Sequence, residues 1–216
     1  MKNIVVLVSG QGTNLQALID ACNEGQIAGK IVSVISNKAD AFALERAKSA
    51  GISSRVFLRK DFENNQAMDH QIGNYIESIN ADLIVLAGYM KILTAPFTQR
   101  FSGKILNIHP SLLPKYPGLH TYQQALDAGE KEHGTSVHFV NEEVDGGAVI
   151  LQAKVPIFEG DSIADIEERV KTQELRIYPL VVKWFTEDRL KLVGDMAFLD
   201  GVKLPPQGYA MEDEID

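Results

Sequence analysis

The chain has 216 residues, 45% of them hydrophobic and 23% charged, with seventeen glycines, eight prolines and a single cysteine. These proportions exclude a disordered, collagen-like or disulfide-stapled chain, and the length suffices for one large domain over residues 1–216. A formal charge of −8, from 21 Lys+Arg against 29 Asp+Glu and without a basic run, argues against nucleic acid as a partner.

In chain order, residues 4–8 (Ile-Val-Val-Leu-Val) form an apolar, β-branched run, the mark of a strand buried on both faces of a parallel sheet. The run is too short for a signal-peptide core or a membrane span, so the chain reads as cytoplasmic with no membrane partner. A helix follows over 14–23. Its face Leu15, Leu18, Ile19 and Cys22 makes the lone cysteine a buried core thiol, and one cysteine can form neither an intrachain disulfide nor a cysteine zinc cage. Strands at 31–35, 55–58, 83–87 and 105–108 alternate with helices at 42–50 and 62–79. This rhythm predicts an α/β fold: a single-domain, Rossmann-like, mostly parallel twisted sheet flanked by helices.

The rhythm changes after Pro110. Pro110, Pro114 and Pro117-Gly118 predict a stiff irregular loop, followed by a short helix at 123–128. Strands at 136–140 and 148–155 flank the acidic loop 141–147. A long helix over 162–184 opens at Asp161 or Ser162, and 190–193 with 196–199 read as a small hairpin, giving a mixed C-terminal extension. The acidic stretch 211–216 reads as a frayed end.

Three constellations can carry chemistry. Ser9-Gly10-Gln11-Gly12-Thr13-Asn14 opens the first helix, where backbone N–H groups and the helix dipole favour an anion. A dinucleotide fingerprint would need a glycine in place of Leu15 and an acid where Ser36-Asn37 stand, so a single phosphate held by Gly12, Thr13 and Asn14 fits better. The alternative is a plain glycine turn with Thr13 as helix cap. Asn107 and His109 alternate on a strand at the carboxyl end of the sheet, where an amide and an imidazole can stabilise an oxyanion and manage a proton. The alternative is that both merely bind the neighbouring loop backbone. Asp145, followed by Gly146-Gly147, can be held inward against His109 and so raise its pKa, or the acidic loop can be a solvated turn. His133 and His138 are loosely spaced like a metal pair, but five residues apart on one strand they face opposite sides, so no metal is expected.

These pieces, with Ala87-Gly-Tyr-Met-Lys-Ile-Leu93, His133-Gly-Thr-Ser-Val-His138 and Pro205-Pro-Gln-Gly-Tyr209, resemble the folate-dependent formyltransferases, and among them the phosphoribosylglycinamide formyltransferase family. The resemblance extends from Ile4 to Tyr209. It implies transfer of the formyl group of 10-formyltetrahydrofolate to the glycyl amine of glycinamide ribonucleotide in purine biosynthesis, by direct attack through a tetrahedral intermediate. Matching positions imply a catalytic trio of Asn107 (oxyanion donor), His109 (general acid) and Asp145 (elevating the His109 pKa and relaying the amine proton through water). They imply phosphate binding at Gly12, Thr13 and Asn14 and ribose binding at Glu174. The folate pocket would be lined by Met90, Lys91, Ile92 and Leu93 and by Asn141, Glu142, Glu143, Val144 and Asp145, with Asn107 beside them. Lys91 stands where relatives often have arginine, and Asn65 where some place an arginine near the folate tail. The two small molecules are the expected partners of a monomer or homodimer. A formyltetrahydrofolate hydrolase and a non-catalytic nucleotide-binding Rossmann protein are the alternatives.

Overall fold

A computed structural model of the chain describes residues 1–209; the stretch 211–216, expected to fray, lies outside the described residues. The chain forms two compact units, one of residues 1–107 and one from Ile108 onward.

The first unit is built on β1 (Lys2–Val8), whose Ile4 to Val8 side chains are at most 1% exposed. A strand apolar on both faces needs layers above and below it, and parallel neighbours reached by helical crossovers supply both. β1 pairs in parallel with β2 (Gly29–Ser36) on one side and β4 (Leu83–Leu86) on the other. Beyond them lie β3 (Ser54–Val56) and β5 (Ile105–His109), also parallel. The crossovers carry α1 (Thr13–Asn23), α2 (Ala43–Ser49), α3 (Asn65–Ser78) and α4 (Ala95–Arg100). Strand order turns round between β1 and β4, which makes a switch point at their carboxyl ends.

The second unit holds α5 (Thr121–Asp127), the antiparallel pair β6 (Glu132–Phe139) and β7 (Val149–Pro156), and the 24-residue α6 (Ile163–Thr186), which packs on β6 and β7. Ser162 caps α6 in a reciprocal box with Asp165, which settles the start of the helix. Three short antiparallel strands follow, β8 (Leu190–Val193), β9 (Met196–Leu199) and β10 (Val202–Lys203). The seven-stranded sheet has the order β3-β2-β1-β4-β5-β6-β7, the mostly parallel, helix-flanked fold expected from the alternation.

Several boundaries differ from expectation. The run 55–58 shrinks to the exposed β3, and a 3-10 turn at Arg59–Asp61 delays α3 until Asn64 caps it by accepting the Ala67 N–H. α4 is an added helix, marked in sequence only by Pro96 in its first turn. β6 begins four residues earlier than its apolar pattern suggests, because its first half is buried as His133, Gly134, Thr135 and Ser136.

Cys22 is half-buried rather than buried, and partial burial pushes its thiol up to about 11. At pH 9 the native thiol should therefore alkylate at least about tenfold more slowly than in the urea-unfolded chain, because only the thiolate attacks. Equal native and unfolded rates of iodoacetamide labelling would contradict the burial.

Candidate active site

The glycine turn after β1 shows why Gly12 is needed. Gly12 has φ 76°, and a Cβ there would lie 2.6 Å from the Ala43 Cβ, so α2 packs directly on the turn. α1 starts at Thr13 with Gly12 as its cap residue, and no side chain caps it. This corrects the alternative of Thr13 as cap. The first turn of α1 carries no acidic residue, and the dipole at a helix N-terminus favours an anion there.

At the same end of the first unit, the loop after β4 is tied down. The Met90 N–H donates to Ser9 Oγ at 2.8 Å, and the Ser9 hydroxyl donates to Asn37 Oδ1 at 2.6 Å. Lys91 turns inward, its Nζ 2.5 Å from the buried Asp69. Met90 and Ile92, between and beside these anchors, stay 66% and 70% exposed. Asn107 is half-buried near the end of β5.

In the second unit, His109 closes β5 and is 6% exposed. Its Nε2–H donates to the Tyr116 carbonyl at 2.7 Å, and its Nδ1 lies 3.4 Å from Asp145 Oδ2. The ring thus binds the loop backbone through one nitrogen and faces the carboxylate through the other.

Asp145 reaches this position in a left-handed backbone conformation, φ 53°, and accepts the Gly118 N–H at 2.9 Å. The following glycines permit this tight geometry by leaving space, not by taking the left-handed angle. Asp145 itself adopts it, and the glycines are required by close approach. A Cβ on Gly147 would sit 1.8 Å from the Phe139 carbonyl oxygen, and one on Gly146 would sit 2.6 Å from Glu143 side-chain atoms. In the same loop Asn141 Oδ1 accepts the Glu143 N–H at 2.9 Å, while Glu142, Glu143 and Val144 face solvent.

His138 is a neighbour of Asp145 that the metal-pair reading did not foresee. A register shift in the β6–β7 ladder between Val137 and His138 re-aims the ring. Its Nε2 lies 3.7 Å from Asp145 Oδ1, while Nδ1–H donates to the Phe139 carbonyl at 2.8 Å. Burial lowers the His138 pKa and keeps the ring neutral. His133 instead packs against Tyr116 and Tyr122. Among the described residues no group of three or more His, Cys, Asp or Glu side chains is placed to hold a metal ion. Glu174 of α6 is half-buried, 3.4 Å from the Thr135 hydroxyl, which also donates to the His109 carbonyl. A cavity of about 1080 Å³ in this unit is lined by Tyr116, Glu130, His133, Gln152 and Arg176, and none of the expected site residues faces it. Of its charged residues, Lys115 pairs with Glu130 and Lys154 with Glu132, while Arg176 bonds Gln173.

The sequence pattern of the formyl transferases matches residues 2–182. The chain belongs to the formyl transferase family. This formyltransferase is 68% identical over 212 residues to phosphoribosylglycinamide formyltransferase of Haemophilus influenzae, covering 98% of this chain and 100% of that one. It is 57% identical over 211 residues to the Escherichia coli protein of the same name, with 98% and 100% covered. Among solved structures, phosphoribosylglycinamide formyltransferase from Coxiella burnetii, in complex with CHES, matches with a TM-score of 0.93 at 44% identity, over 96% of this chain and 98% of that chain.

Gly147→Ala should displace the loop that carries Asp145. Formyl transfer should fall at least about a hundredfold, the cost of misplacing a reacting group by about 1 Å, while the thermal transition is retained. Unchanged activity would show that the close approach at Phe139 is not what holds Asp145.

Proposed function

We propose that this formyltransferase moves the formyl group of 10-formyltetrahydrofolate to the glycyl amine of glycinamide ribonucleotide, the reaction named for its relatives, in purine biosynthesis. The observation that supports this best is the pairing of His109 with Asp145, because acyl transfer to an amine needs a held proton carrier beside an electrostatic partner. The folate cosubstrate supplies an electrophilic formyl carbon on N10. Asn107 donates to the oxygen that gains charge as the amine attacks and a tetrahedral intermediate forms. His109 delivers a proton to N10 as the C–N bond breaks, and Asp145 supports the imidazolium and passes the amine proton on through water.

The remaining roles are those that the likeness to the family implies. The first turn of α1 at Gly12, Thr13 and Asn14 holds the phosphate, and Glu174 takes the ribose hydroxyls through its carboxylate. Residues 90–93 and 141–145 line the folate pocket. Exposed Met90 and Ile92 on an anchored loop offer an apolar shelf suited to the flat heterocycle of the folate. We take residues 1–216 as one formyltransferase domain, acting in the cytoplasm as a monomer or homodimer, without metal. No helix among the described residues is long and apolar enough to cross a membrane.

Product assays with and without glycinamide ribonucleotide separate the readings. Formyl transfer that requires the ribonucleotide supports the transferase. Formate release without it would establish a hydrolase, and neither product would leave a binding protein. In the transferase, Asp145→Asn should lower kcat by roughly 10² to 10⁴, the range of a lost acid–base contribution, with ribonucleotide binding unchanged. A kcat within about threefold of the parent would make Asp145 structural, since one positioned acid–base group contributes far more than that. Extended treatment with a chelator should leave activity intact, because hydrogen-bond donors and a proton relay suffice for an activated formyl group. Loss of activity restored by zinc would overturn that reading.

A further inference from the structure

We propose that Asp69 is a positioning residue for formyl-folate binding, acting as a buried clamp on loop 88–94. The proposal rests on the folate-pocket reading of that loop and adds a residue outside the pocket. Asp69 lies on the apolar face of α3 with Met68, Ile72, Gly73 and Ile76, and is itself 0% exposed. A carboxylate there is costly unless every lone pair finds a donor. Both of the donors found for Asp69 come from the one loop. Oδ1 takes the Lys91 ammonium at 2.5 Å, and Oδ2 takes the Thr94 N–H at 2.8 Å.

The clamp has a directional consequence. With the Lys91 side chain drawn inward to 10% exposure, the neighbouring Met90 and Ile92 are left facing out. The chain on the other side of Met90 is fixed by Ser9, whose hydroxyl accepts the Met90 N–H while donating to Asn37. The loop is thus pinned at Met90, Lys91 and Thr94, at the carboxyl end of β4 beside the switch point. This gives the Ser9 hydroxyl and Asn37 a purpose, and it explains why a lysine serves at position 91: its side chain faces Asp69, not the ligand.

The test is a comparison of Asp69→Asn and Ser9→Ala with the parent chain. KM for 10-formyltetrahydrofolate should rise by about tenfold or more in Asp69→Asn and several-fold in Ser9→Ala, with KM for the ribonucleotide and kcat within about threefold, the pattern of lost uniform binding. Amide exchange at Met90 and Thr94 should accelerate while β1 stays protected. Because a misfolded variant would lose all ligands, the paired variant Asp69→Asn with Lys91→Met, which removes the stranded buried cation, provides a second reading. It should recover the parent's thermal transition yet keep the raised folate KM. Recovery of folate KM along with stability would reduce Asp69 to a general stability role and overturn the proposal. So would a folate KM within about twofold of the parent in two well-folded single variants. Equilibrium titration with 10-formyltetrahydrofolate runs in parallel. If the parent binds this folate but transfers no formyl group, the proposed reaction fails, and weaker binding by Asp69→Asn still supports the clamp.

Discussion

The first unit depends on burying β1 on both faces. Five consecutive apolar residues with at most 1% exposure cannot sit at a sheet edge, so strands must flank β1 on both sides and helices must cover both faces. Adding β2 and β3 on one side and β4 and β5 on the other forces the chain to reverse direction across the sheet. The reversal leaves two loops, after β1 and after β4, side by side at the carboxyl ends. The anion-suited turn at Gly12 and the anchored loop 88–94 are consequences of that reversal, which is why Ser9 can bond the Met90 amide across 81 positions of sequence.

In the second unit hydroxyls hold the proline-rich loop beside an apolar core that includes Val155, Ile166 and Val170. Ser136 donates to the Ser111 carbonyl and accepts the Leu113 N–H, Thr135 holds the His109 carbonyl, and Thr121 holds that of Pro110. A proline-rich loop has few N–H donors of its own, so its carbonyls are satisfied from β6 and α5. The same bonds fix the backbone at both ends of the segment that carries His109 and Tyr116.

What the sequence makes legible follows from these two styles of packing. β1, β2 and β4 are plain because apolar runs announce a strand buried on both faces, and the hairpin of β8 and β9 is plain from its alternation. The start of β6 is hidden because its buried residues are polar: the hydroxyls of Thr135 and Ser136 find partners no local pattern reveals, and His133 lies against the rings of Tyr116 and Tyr122. Asp69 is hidden for the same reason, since an aspartate in a helix reads as solvated until its distant partners are known. The approach of Asp145 to His109 is legible from the Asp-Gly-Gly motif, although the physical cause differs. The glycines clear space for the Phe139 carbonyl and the Glu143 side chain, while the aspartate carries the strained angle. His138 escapes notice because its importance comes from the register shift in β6, a feature of the ladder and not of spacing.

The two histidines beside Asp145 divide its charge unequally, and their backbone partners decide how. His138 spends its Nδ1–H on the Phe139 carbonyl, so the nitrogen it turns toward Asp145, at 3.7 Å, has no proton to give. Its burial disfavours a second proton and keeps it uncharged. His109 spends its Nε2–H on the Tyr116 carbonyl and turns Nδ1 to Asp145 Oδ2 at 3.4 Å. A symmetric pair of imidazoles would split the carboxylate's field between two competing sites. Here burial keeps one ring neutral, while the other is held between a main-chain carbonyl and the carboxylate.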